Sequence, residues 1–253
     1  MNWAYQEALI CSRSSDAKLL RQKLGASSAG VERLNDAAAL SVADRLERQL
    51  SPMGRLALHS AKWDLAQSDS GPSIWKDAGM ISLGFFRIVE LEFNERLLFP
   101  ALQSIDLDAL ETEIERLQNS QASRTERNVV ECWKRMLPRL RKAKQDRRGL
   151  ELGDLELLLQ KLRAVNGPDS FLKAPLNAGI IRQLSARGIA AFQSGELASL
   201  LDIDARERFR NPAAHTRYVD LETARESKRY VENALEKLIE YTKSGAEAEP
   251  TLQ

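Results

Sequence analysis

The segment GMISLGFFRIVELEFNERLL, residues 79–98, is apolar on nearly every face of a helix. Ile81, Phe85, Ile88 and Val89 form one stripe, while Phe86, Leu91, Phe93 and Leu97 fill the other faces. Such a helix needs neighbours all round it, so it belongs at the centre of a bundle. The rest of the chain can supply them. Leu, Ala, Glu, Arg and Gln dominate, and β-branched residues are sparse and never alternate with polar ones for long. The pattern predicts an all-α fold, a bundle of long helices with short ones inserted.

Apolar residues three or four apart run through 5–24 and 31–50, the latter as Val31, Leu34, Ala38, Val42, Leu46 and Leu50. Ser51-Pro52 opens a further helix, and SDSGPS at 68–73 reads as a linker. Asp108-x-x-Glu111 and Ser123-x-x-Glu126 are capping boxes for helices reaching about Gln118 and Lys144. Residues 151–164 form another helix. AVNGPDSFLKAPLNAG, 164–179, with two prolines and two glycines, is the longest predicted loop. Asp204-x-x-Glu207 is one more capping box. Asp220 caps a last helix that buries Ala224, Val231, Leu235 and Leu238.

The chain has 253 residues and a net charge of +1, so bulk charge steers it to no particular partner. Any polyanion site must come from local clustering. No run approaches the ~18 apolar residues that would span a membrane. The opening MNWAYQEALICSRSSD lacks a basic stretch followed by an apolar one, so no secretory leader is expected. Cys11 and Cys132 lie far apart, and with only two histidines they make no zinc set. They read as buried free thiols in a cytoplasmic protein. No cofactor is expected. His59, on a moderately apolar helix, reads as structural.

Two features carry chemistry. KRMLPRLRKAKQDRR, 134–148, holds eight basic residues and one acidic one, a clustering suited to a phosphate backbone or to an acidic partner surface. Arg135, Arg139, Arg141, Lys142 and Lys144, with Arg208, are the candidate RNA contacts. The second feature is RERFRNPAAHTRY, 206–218. Asn211-Pro212 disfavours helix, because proline lacks an N–H and restricts the residue before it. His215 is thereby placed near a helix end. Imidazole can act as acid or base near neutral pH, and the Arg210 guanidinium suits phosphate oxygens. Arg210, Asn211 and His215 around a phosphodiester would make a metal-free ribonuclease site.

The unit Arg210-Asn211-Pro212-Ala213-Ala214-His215 follows a charged helix and precedes an Asp-capped one. It closely resembles the R-x4-H signature of HEPN domains, all-α domains of toxin, phage-defence and RNA-processing ribonucleases. The resemblance covers about 74–103 and 195–243. It implies a HEPN-like core within 71–253, an insertion at about 105–190, and an extra N-terminal helical region at 1–70. It implies a metal-independent endoribonuclease, acting as a toxin or antiviral effector. Arg210 and His215 would be catalytic and Asn211 would orient the phosphate or the His. A carboxylate on the early apolar helix, Glu90 first and Glu92 second, would assist. The family's dimers bring two motifs together, so RNA and a second copy are the expected partners. An antitoxin, a nucleotidyltransferase or an ATPase would be a further partner. In one subgroup a partner nucleotidyltransferase modifies a tyrosine two residues after the His; here Tyr218 is three after. The alternative is a non-catalytic HEPN-like adaptor or dimerisation module that binds nucleic acid or a partner protein.

Overall fold

The computed structural model describes residues 42–69, 77–119, 124–163, 169–201, 205–210 and 218–243. Every regular element among them is helical. Extended pairing among them is confined to an isolated antiparallel bridge between Leu184 and Thr242. The protein is all-α, as its periodicity predicts, and among the described residues no helix is long and apolar enough to cross a membrane.

In chain order the helices are α1 (Val42–Gln49), α2 (Pro52–Asp69), α3 (Gly79–Phe93), α4 (Phe99–Gln103), α5 (Leu107–Asn119), α6 (Arg124–Asp146), α7 (Leu152–Arg163), α8 (Ser170–Gln183), α9 (Ala186–Ser194), α10 (Glu196–Ser199) and α11 (Leu221–Tyr241). Two five-residue segments wind more loosely as π-helix: Asn94–Leu98, which joins α3 to α4 without a break, and Arg206–Arg210. Pro100, in the first turn of α4, has no N–H to donate just where the helical register changes.

The α3–α4 rod is the central helix that its composition demands. Phe85, Ile88 and Phe93 are wholly buried, and α2 and α11 lie along it. Leu58, Ala61 and Leu65 of α2 belong to the same core as α3. The boundary expected near residue 70 thus falls between two helices that share one core. α11 begins where predicted: Asp220 Oδ1 accepts from the Thr223 N–H at 2.7 Å. It buries Ala224, Val231, Leu235 and Leu238. The N-terminal periodic segments before Val42, the capping residues Ser123 and Asp204, and Cys11 lie outside the described residues.

Three expectations need correction. The predicted loop at 164–179 is largely α8, which runs through Pro175. Leu172, Leu176 and Ile180 recur every four residues and are buried, and this stripe outweighs the proline and glycine signals. Asp169 fixes its start: its carboxylate accepts from Lys173 Nζ at 2.7 Å and Trp133 Nε1 at 2.9 Å. The cap of α5 is Asp106, whose Oδ1 accepts from the N–H groups of Asp108 and Ala109; Asp108 pairs with Arg141. Cys132 is only half-buried. His59, read as structural, is exposed and pairs with Glu47, its Nε2 2.7 Å from the carboxylate.

Candidate functional site

Glu90 is buried on α3, with its carboxylate against the Arg87 guanidinium one turn earlier. Glu92 is wholly buried too, but its oxygens are taken by structure. Oε1 accepts from the Ser51 N–H at 2.8 Å and Oε2 from Arg96 Nε at 2.7 Å. Arg96 in turn reaches the Gln49 carbonyl and Thr242 Oγ1. Glu92 therefore ties the α1–α2 junction and the end of α11 to the central rod. Of the two carboxylates expected to serve chemistry, Glu90 is the one on the side of α3 whose Phe86 approaches the π segment that ends at Arg210.

That proximity comes from aromatic packing. Phe86 stacks on Tyr230 of α11 at 5.8 Å between ring centroids, and both meet Phe209 at 6.3 Å. Phe209 is the residue before Arg210, and Glu90 lies one turn beyond Phe86 on the same side of α3. The far flank of the motif is also fastened to α3. The Val219 N–H donates to Asp77 Oδ1, and the Ala78 N–H donates to the Val219 carbonyl at 2.8 Å. Ala78 and Phe86 are eight residues apart, about 12 Å along a helix. Both flanks of the R-x4-H unit thus dock on the N-terminal half of one rigid helix. Arg210 closes the π segment. Asn211 and His215 lie outside the described residues.

A second shell of charge borders this region. The Arg87 side chain is half exposed while that of Glu90 is 8% exposed. Burial holds the Arg87 guanidinium below the usual arginine range, and the Glu151 charge before α7 opposes that effect. Arg206, in the π segment, pairs with Glu156 of α7. Asn94 orders the approach to α7: its amide donates to the Glu90 carbonyl at 2.7 Å and the Leu150 carbonyl at 2.9 Å. The amide oxygen accepts from the Leu150 N–H at 2.8 Å. Sequence alone marks Arg87 and Asn94 as polar residues on an apolar helix, but not Glu151, Glu156 or Arg206. Their roles rest on contacts about 50 residues apart.

The basic run serves the fold more than the sequence suggests. Arg139 pairs with Asp154, and Arg141 with Asp108 at 2.6 Å and Glu111 at 2.7 Å. Hydrogen bonds donated to Glu111 and then to Asp108 raise the Arg141 pKa further. Lys144 Nζ donates to the Ile105 carbonyl at 2.6 Å. Arg147 pairs with Glu95 and lies over the Phe99 ring. Arg135 and Lys142 face solvent. Arg208 is exposed, pairs with Glu226 at 2.6 Å and covers the Phe209 ring. Of the six candidate RNA contacts, Arg208 is the one the structure brings beside Phe209 and the motif.

The fold and these contacts define an all-α protein with a cluster of charged side chains where α3, α7 and the 206–210 segment meet. No protein-family model, curated protein or solved structure significantly matches the chain.

Proposed function

We propose that this protein is a homodimeric, metal-independent endoribonuclease of HEPN type, acting as a toxin or antiviral effector. The observation that carries the reading is the docking of both flanks of Arg210-Asn211-Pro212-Ala213-Ala214-His215 on one helix, the helix that bears buried Glu90. Catalytic groups need a rigid support, and a packed central helix is one.

In the proposed reaction one His215 takes the proton of a ribose 2′-OH. The 2′ oxygen attacks the adjacent phosphorus, and the bond from phosphorus to the 5′ oxygen breaks. The His215 of a second copy protonates the departing 5′ oxygen. Arg210 offsets the charge of the phosphorane and Asn211 orients the phosphate. The products are a 2′,3′-cyclic phosphate and a 5′-OH. A second reading is a non-catalytic HEPN-like adaptor. It is favoured by the internal pairing of Arg139, Arg141 and Lys144, which leaves less of the basic run for RNA.

The two part on one experiment. Purified protein, His215→Ala and Arg210→Ala are each incubated with a mixed RNA pool in EDTA. A nuclease cleaves as wild type and loses about 100-fold or more in each variant, since an acid–base group contributes on the order of 10²–10⁴. Equal inactivity of all three leaves the adaptor.

A further inference from the structure

We propose that Arg87 is a phosphate-binding residue of the RNA site, and that Glu90 is its positioning partner rather than a proton-transfer group. The inference rests on the nuclease reading and adds a second cation, from a different helix, to the one in the motif. Arg87 follows Phe86, the residue that holds Phe209 and so fixes the segment ending at Arg210. Its side chain is half exposed, whereas the Glu90 side chain beneath it is nearly closed to water. A buried carboxylate facing a half-exposed arginine holds that side chain without covering all of it.

The geometry of the group completes the argument. Guanidinium has five N–H donors in a rigid planar fork, and the Glu90 carboxylate engages it at Nη1. Remaining donors suit the oxygens of a phosphodiester. Glu151, before α7, adds a second negative charge near the same cation. Asn94 grips Leu150, the residue before Glu151, so the backbone that carries that charge is tied to the central rod. Arg87 is thus held by Glu90 on its own helix with the Glu151 charge nearby, and less rotamer freedom is lost when a phosphate docks.

The test uses the full-length chain and a fluorescein-labelled single-stranded RNA. Binding is measured from low to moderate salt on His215→Ala, and on the same protein carrying Arg87→Gln, Arg87→Lys or Glu90→Gln. The expected result for Arg87→Gln is an affinity about tenfold lower, with the slope of log K against log salt reduced by about 0.7, one phosphate contact. Arg87→Lys keeps the charge and hence the slope, and loses a few-fold in affinity. Glu90→Gln weakens binding and adds nothing once Arg87 is Gln. With His215 intact, Arg87→Gln raises KM and leaves kcat nearly unchanged. An unchanged affinity and slope in a folded Arg87→Gln protein, or a slope lost equally in Arg87→Lys, overturns the assignment. Loss of kcat alone in Glu90→Gln would return Glu90 to proton transfer. Cleavage by wild type with normal Arg87→Gln binding leaves the nuclease reading standing. No cleavage by wild type, with Arg87-dependent binding, removes the nuclease reading instead.

Discussion

Glu90 and Glu92 of α3 and Asn94 of the π segment that follows it are three polar side chains buried within five residues, and each is satisfied by a partner. A buried charge is costly without one, and removing the partner of a buried pair costs about 3–5 kcal/mol. Glu92→Gln, which leaves Arg96 without its carboxylate, should lower unfolding stability by about 3 kcal/mol in urea titration. Asp169 gives a pH-dependent counterpart. Burial opposes its charge, but hydrogen bonds from Lys173 and Trp133 outweigh it and hold the carboxyl below its ordinary value of 3.8. A depressed carboxyl contributes stability that is complete above the unfolded value and fades as pH falls through the folded one. The stability gap between wild type and Asp169→Asn should therefore be full at neutral pH and shrink below about pH 4. A gap constant down to about pH 2 would contradict the pairing. The sequence marks the α3 residues as unusual, because they interrupt an apolar helix. Their partners were not legible. Ser51 and Leu150 lie 41 and 56 residues away from the side chains they bind, and periodicity carries no information at that range.

At the scale of elements, the strongly patterned helices were legible and the punctuated one was not. The central rod and the Asp-capped α11 follow from their apolar stripes. In α8 the proline and glycine signals conflict with a four-residue stripe, and burial decides in favour of the stripe. The helix also closes on a junction that no local signal announces. The Ser185 N–H donates to the Tyr241 carbonyl and the Lys243 N–H to the Gln183 carbonyl, both at 2.9 Å. Gly188, in the first turn of α9, passes so close to this junction that an added Cβ would lie 1.9 Å from the Tyr241 carbonyl oxygen. Backbone cannot swing aside as a side chain can. Gly188→Ala should cost about 1–3 kcal/mol through displacement of α9 from α11, seen as a lower thermal midpoint. Tyr241 itself donates to Glu196 at 2.7 Å, and its phenol is raised to about 12, first by burial and then by that carboxylate. In an alkaline absorbance titration this tyrosine should ionise well after the ordinary range of about 10, and the late phase should vanish in Tyr241→Phe.

At the scale of the whole molecule, the bundle was readable because one all-round apolar helix requires it. The candidate site was readable as a motif, while its support was not. The Phe86–Phe209–Tyr230 cluster and the tie from Val219 to Asp77 and Ala78 join three separate stretches of chain. The basic run is partly paired for a related reason. Six of its eight like charges lie on α6, and the acidic partners of Arg139 and Arg141 on α7 and α5 come only with the fold. The proposed chemistry makes a demand on the products that no adaptor can meet. The most direct measurement is the end-group analysis of RNA fragments made in EDTA by wild type, with His215→Ala as the control. The account predicts 2′,3′-cyclic phosphate and 5′-OH ends that disappear in the variant. Fragments with 3′-OH and 5′-phosphate ends, or cleavage that persists without His215, would contradict it.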